Sequence, residues 1–214
     1  MSTRMNMKPH GKKGKLITFC GLDGCGKSTL IRRLAEELEG EGEAVFLTKQ
    51  PTDGMRKTEI FRTYMDCEDH SGFAYRSLSL MAAADRIQHV EHVVLPALDA
   101  GKIVISDRYF YSCLANLRAR GFSDDRWIYE IAEQIPEPDC AFFLDVPVKI
   151  AVSRVRERPE EKDRYIDMDL QYKLYGEYRR IGFENRGVLV STDCDLADSY
   201  QVVRTKVKEI MEGK

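Results

Sequence analysis

The sequence predicts a three-layer α/β fold, a five-stranded parallel sheet flanked by helices on both faces. Two observations carry this. Short runs that are apolar at every position recur along the chain, as strands buried on both faces require. Amphipathic stretches at helical spacing alternate with those runs, which is the pattern of βαβ units.

In chain order, Leu16–Leu22 (LITFCGL) reads as a buried strand. A helix follows from Lys27 to about Glu41, with Leu30, Ile31, Leu34 and Leu38 on one face. Ala44–Thr48 (AVFLT) is the second strand. Phe73 to Ala100 reads as one long helical stretch stopped by Gly101. Ile103–Ser106 (IVIS) is the third strand, ended by Asp107. Helices are expected from about Tyr109 to Arg120 and from Asp124 to Gln134. Cys140–Leu144 (CAFFL) is the fourth strand, and a helix runs from Pro147 to about Arg158. Pro159–Asp163 is a charged break before a helix over about Asp167 to Phe183. Val188–Ser191 (VLVS) is the fifth strand and Leu196–Met211 the last helix. In such a sheet the functional residues belong at the carboxyl ends of the strands.

At 214 residues the chain is expected to form one domain, over 15–214, behind a basic arm over 1–14 that reads as mobile. The net charge of −2 gives no support to a polyanion-coating protein, so no nucleic-acid partner is expected. No apolar run reaches the ~18 residues of a membrane span. The six cysteines form no CxxC pair and none sits at zinc-ligand spacing with a histidine; reduced thiols in a cytoplasmic enzyme are the simplest account.

The strongest chemical signal is Gly21-Leu-Asp-Gly-Cys-Gly26-Lys27-Ser28, which matches GxxxxGK[ST] and lies between a strand and a helix. Its glycines let the backbone turn N–H groups toward a triphosphate, and the helix N-terminus adds a favourable dipole. Gly21, Gly24, Cys25, Gly26, Lys27, Ser28 and Thr29 are the expected ATP contacts. Lys27, expected on a surface loop, reaches the β/γ-phosphates, and the Ser28 hydroxyl ligates Mg²⁺. The bland alternative is a glycine-rich turn with no ligand. No guanine-reading NKxD is present, and the DxxG at Asp69–Gly72 follows no strand, which argues against a GTPase switch and for a compact small-molecule kinase. Asp107-Arg108-Tyr109 closes the third strand: Asp107 is placed to hold the Mg²⁺ shell and Arg108 to contact phosphates, unless the two are a strand-end ion pair. Arg154, Arg156, Arg158, Lys162 and Arg164 form a basic cluster interrupted by Pro159, either a solvated helix face or a closing lid. His10, His70, His89 and His92 look like surface or helix positions, without a catalytic partner.

The stretches GLDGCGKST, TKQP, AAADRIQHVEHVVLPALDAGKIVISDRYFYS, PDCAFFLDVP and RVRERPEEKDRY occur in an order and at spacings that resemble the thymidylate kinases, among the P-loop nucleoside monophosphate kinases. The resemblance runs from Lys15 nearly to the end. It implies the P-loop NTPase fold with a short lid at about 154–166, ATP·Mg²⁺ as donor, dTMP as acceptor, and commonly a homodimer. It also assigns roles. Asp23 contacts the acceptor sugar and phosphate region. Lys49 stands where the family usually has an Arg that meets the acceptor phosphate. Arg86 reads the thymine carbonyl edge, and Arg108 bridges the two phosphate sites. Arg164, Tyr165 and Gln171 contact the acceptor after the lid. Gly24 stands where some members carry an Arg; Arg158 or Lys162 then supplies that charge, with Arg154 on the ATP.

Three positions depart from the family pattern. Ala82 replaces the aromatic that stacks on the base, unless Phe73, Tyr75 or Phe110 substitutes. Asn116 replaces the aromatic that crowds the sugar 2′ position, and its amide is expected to meet a 2′-hydroxyl. Leu117 replaces the usual Gln. Three readings follow: a thymidylate kinase making dTDP, a related enzyme acting on another nucleotide or a nucleoside, or a non-catalytic nucleotide-binding module.

Overall fold

The computed structural model describes residues 4–162 and 165–213. Strand β1 (Lys8–Pro9) precedes β2 (Lys15–Cys20), which runs into helix α1 (Lys27–Gly40). Strand β3 (Val45–Lys49) leads to two short helices, α2 (Asp53–Arg56) and α3 (Glu59–Asp66). Helix α4 (Tyr75–His89) continues through a π-helical turn (Val90–Val94) into α5 (Leu95–Asp99). Next come β4 (Ile103–Asp107), α6 (Tyr111–Ala119), α7 (Trp127–Ala132) and the short β5 (Pro136–Glu137). The chain ends through β6 (Cys140–Asp145), α8 (Val148–Arg156), a 3₁₀ turn (Pro159–Glu161), α9 (Met168–Glu184), β7 (Val188–Ser191) and α10 (Leu196–Met211).

The five long strands form one parallel sheet in the order β3-β4-β2-β6-β7, as the apolar runs predict. The three central strands are buried along nearly their whole length, whereas edge strands β3 and β7 are half open. The crossover from β2 runs to β3 on one side and that from its neighbour β4 runs to β6 on the other, so the crevice between the carboxyl ends of β2 and β4 is the topological switch point. Register completes the placement: Phe19 lies beside Asp107, which lies beside Lys49. The glycine-rich turn, Asp107 and Lys49 therefore share one edge of the sheet.

The long helix expected over Phe73–Ala100 begins at Tyr75 and widens to π geometry at Val90–Val94. Pro96 follows directly. It lacks an N–H and its ring crowds the carbonyl four residues back, which a widened turn accommodates.

The arm expected to be mobile is corrected from Arg4 onward. Met5 and Met7 are buried, and β1 pairs in parallel with β5. The Met5 N–H donates to Asn185 Oδ1 at 2.8 Å, His10 Nε2 lies 2.8 Å from Asp139 Oδ2, and Lys12 pairs with Asp99 at 3.0 Å. Two methionines at alternating positions give the arm one apolar face, and acidic residues receive its charge.

Candidate active site

The turn after β2 is built by glycines at positive φ: Gly21 at 143°, Gly24 at 79° and Gly26 at 92°. At Gly24 a Cβ would stand 2.0 Å from the Ala151 carbonyl oxygen of α8. Helix α8 packs so closely on the loop that no side chain fits there, which explains the absence of a loop arginine. Lys27 is not on the surface as expected but 6% exposed. Its Nζ donates to the carbonyls of Leu22 at 2.7 Å and Gly21 at 3.2 Å. The ammonium thus lies against the concave loop, while Ser28 and Thr29 stand exposed at the start of α1.

Arg108 is one of two non-glycine residues with positive φ among the described residues, at 68°. That conformation costs about 1–2 kcal/mol. It is held by the Arg108 N–H donating to Phe19 O at 2.8 Å and by Ser106 Oγ donating to the Arg108 carbonyl at 2.7 Å. The turn aims the guanidinium back over the glycine loop: Nη1 donates to Gly21 O at 3.1 Å and Tyr178 OH at 2.9 Å, and Nη2 donates to Asp23 Oδ1 at 2.6 Å. Burial alone would lower the Arg108 pKa, yet Tyr178, Asp23 and Asp107 together hold it well above its ordinary value. Asp107 Oδ2 lies 3.9 Å from Lys49 Nζ, and its buried Oδ1 has no hydrogen-bond partner. A carboxylate oxygen desolvated without a partner needs a cation or donor. With the exposed Ser28 hydroxyl on the same cavity, Asp107 would suit a Mg²⁺ ion, whose chemistry matches this oxygen donor set. Among the described residues no cluster of three or more His, Cys, Asp or Glu forms an all-protein metal cage.

One cavity of about 410 Å³ gathers most of the expected residues. Asp23, Gly24, Gly26, Lys27, Ser28, Thr29, Lys49, Arg86, Asp107, Arg108, Asn116, Arg158, Tyr165 and Gln171 all line it. Gly21 and Cys25 lie behind its wall, although the Gly21 carbonyl holds both Lys27 and Arg108. Arg154 is not brought to the cavity: its Nη2 donates to Thr192 O at 3.0 Å, and Thr192 Oγ1 donates to Cys25 O at 2.9 Å. Arg164 lies outside the described residues. Of the two expected lid bases, Arg158 borders the cavity, whereas the Lys162 carbonyl accepts from Arg156 Nη1 at 2.9 Å.

The wall opposite the glycine loop differs from expectation. Ala82 is in it, and so is Arg86, 3% exposed, with Nη1 donating to Ala82 O at 2.9 Å and Nε buried without a partner. Phe110 is core and Phe73 does not reach the cavity, but Tyr75 does. Asn116 is largely spent on the protein: Nδ2 donates to Ser112 O at 2.9 Å and Oδ1 accepts from Arg120 Nη1 at 2.7 Å. The amide expected to meet a 2′-hydroxyl keeps one free N–H.

Several wall residues escaped the sequence reading. Arg56 on α2 donates from Nε to Pro51 O at 2.9 Å, and burial, then repulsion from Arg108, lowers its pKa. Tyr64 on α3 accepts from Arg120 Nε and Nη2 at 3.0 and 2.9 Å, and stacks on His70 with ring centroids 4.2 Å apart. The Arg120 guanidinium also lies 4.0 Å over the Tyr75 ring. His70 is thereby a cavity residue rather than a surface one. The spacing of Ser112, Asn116 and Arg120, one helical turn apart, is the signal that could have found Arg120; α2 and α3 carry no motif.

A family model described as thymidylate kinase matches residues 19–210. A probable thymidylate kinase of Pyrococcus horikoshii is 40% identical over 171 residues, covering 79% of this chain and 83% of the other. One from Pyrococcus abyssi is 39% identical over 175 residues, with the same coverages of 79% and 83%. A thymidylate kinase of Lactobacillus acidophilus is 29% identical over 205 residues, covering 92% and 95%.

Proposed function

Because this chain belongs to the thymidylate kinase family, we propose how its cavity divides the work of the reaction that name describes, ATP-dependent phosphorylation of dTMP to dTDP. The enzyme is an ATP-dependent nucleoside monophosphate kinase. The backbone amides of Gly24 to Thr29 and the N-terminus of α1 cradle the ATP phosphates. Lys27 leaves its loop carbonyls for the phosphates and neutralises charge that grows in transfer. Ser28 and Asp107 would hold Mg²⁺, which when bound would supply further neutralisation of phosphate charge. Arg108 lies between donor and acceptor, with Asp23, Lys49 and Arg56 around the acceptor phosphate. Arg86 meets the base edge. Arg158, Tyr165 and Gln171 close the site from the lid side. The acceptor phosphate is already ionised at neutral pH, so no general base is required.

One observation carries this reading: the glycine loop with Lys27 and the wall with Arg86 face a single cavity, with Arg108 held against the loop between them. The expected outcome is ADP formation with dTMP and none with thymidine, read as a coupled assay over dTMP, dUMP, UMP, ribothymidine monophosphate and thymidine. A second reading, a related acceptor, is favoured by the small Ala82 and the short Asn116 in the wall. Faster turnover with a ribonucleotide than with dTMP would establish it, and failure of every acceptor would leave a nucleotide-binding module. A homodimer and a cytoplasmic location complete the reading; light scattering of the purified protein tests the first. No helix among the described residues is long and apolar enough to cross a membrane.

A further inference from the structure

We propose that Tyr178 is a positioning residue for phosphoryl transfer, its hydroxyl fixing the aim of the Arg108 guanidinium. The inference rests on the reading of Arg108 given above.

Tyr178 lies on α9, is 4% exposed, and reaches the cavity between α6 and the glycine loop. Its oxygen accepts from Arg108 Nη1 at 2.9 Å and its O–H donates to Ser112 Oγ at 3.1 Å. The direction of that relay matters. With the single phenolic proton committed to Ser112, the oxygen lone pair is left facing the guanidinium. Burial pushes the Tyr178 phenol above its ordinary range, so that proton stays in place through the working pH.

The other two anchors of the guanidinium belong to the glycine loop: the Gly21 carbonyl and the Asp23 carboxylate. Both sit on the same short turn. Tyr178 is the anchor from the opposite layer, and without it both remaining bonds pull the guanidinium toward the loop. A long side chain on a left-handed backbone turn needs such a third point, because misplacing a charge by about 1 Å can cost on the order of 10²-fold in rate. Tyr178 also ends a continuous stripe. Asp167, Leu170, Gln171, Leu174 and Tyr178 line the cavity at helical spacing along one face of α9. The same helix thus begins beside the lid segment and meets Arg108 at Tyr178, well before its end at Glu184.

The plain alternative is a core tyrosine whose hydroxyl happens to be satisfied. Tyr178→Phe separates the two, since it keeps the ring and its packing. The expected result is a kcat lower by roughly 10-fold, the scale of one hydrogen bond to a charged group, with the KM of ATP and of the acceptor within about 2-fold and the melting temperature nearly unchanged. Ser112→Ala, which frees the phenolic proton to turn toward Arg108, should lower kcat by a smaller factor. The Arg108→Lys background decides the route of action. There Tyr178→Phe should have no further effect. A Tyr178→Phe enzyme with wild-type kcat, or one whose loss persists in full in the Arg108→Lys background, overturns the proposal while leaving Arg108 in its role. Unchanged kcat in Arg108→Lys alone would instead remove the reading of Arg108, and this proposal with it.

Discussion

At the donor end of the cavity, Gly21, Gly24, Gly26, Lys27 and Ser28 all fall within one short turn and the first residues of one helix. At the opposite wall, Tyr64, Arg86, Asn116, Arg120 and Gln171 arrive from α3, α4, α6 and α9, with Arg120 just past the end of α6. The donor end is made of backbone: positive-φ glycines, loop carbonyls and helix N–H groups. The wall is made of side chains that meet only after the helices pack. A backbone device tolerates no substitution at its tight points, whereas a side-chain wall can exchange one ring or cation for another.

The largest effect should therefore come from the donor end. Lys27→Ala is expected to lower kcat by about 10²-fold or more, because the charge it removes acts on the transferring phosphate. It should also lower the melting temperature, since Lys27 is buried on two loop carbonyls rather than free in solvent. Activity within about 3-fold of wild type would reject the role.

Gly24→Arg comes next. The new Cβ meets the Ala151 carbonyl oxygen at 2.0 Å on a backbone at φ 79°. A cost of about 3 kcal/mol, or roughly 6–12 °C in a chain of this size, is expected in a thermal melt. Gly40→Ala is the control: nothing lies within 4 Å of a Cβ there, so no comparable loss should appear. Equal melts for the two variants would show that α8 can withdraw from the loop.

These two positions also mark what the sequence disclosed and what it hid. The glycine loop was legible because its conformation is dictated locally, residue by residue. The five long strands were legible because burial on both faces leaves an unbroken apolar run. The docking of residues 4–14 was not, because two methionines are too faint a period to outweigh a basic composition. Helix α3 was missed for a related reason: its role is to bring Tyr64 and Phe61 to a cavity assembled from distant segments. Arg154 shows the converse. Its place in a basic cluster suggested the phosphates, but position on α8 turns it to Thr192.

Arg120→Met tests the wall itself. The change keeps an apolar stem but removes the donors that join Tyr64 OH to Asn116 Oδ1. The acceptor KM should rise by roughly 3–10-fold, because Arg120 acts on the acceptor through Tyr64 and Asn116, with the ATP KM unchanged. An equal rise in both would mean that Arg120 supports the whole cavity rather than the acceptor side.

The smallest effect lies at the far end of the acceptor helix, away from both walls. His89 Nε2 is 2.6 Å from Thr48 Oγ1, tying α4 to β3. Burial lowers the His89 pKa, with nearby Asp85 opposing the shift in part. A histidine whose folded pKa is depressed is protonated more readily in the unfolded chain. Its contribution is therefore complete above the unfolded value of about 6.5 and is lost as pH falls from there toward the folded value. Melting temperatures measured from pH 8 to pH 5 should accordingly fall more steeply for the wild type than for His89→Asn, which cannot take up the proton, while kcat at pH 8 stays the same in both. Parallel melting curves would mean that protonated His89 finds compensation, with Asp85 the nearest carboxylate to provide it. A change in kcat at pH 8 would mean that the tie between α4 and β3 reaches the acceptor wall after all.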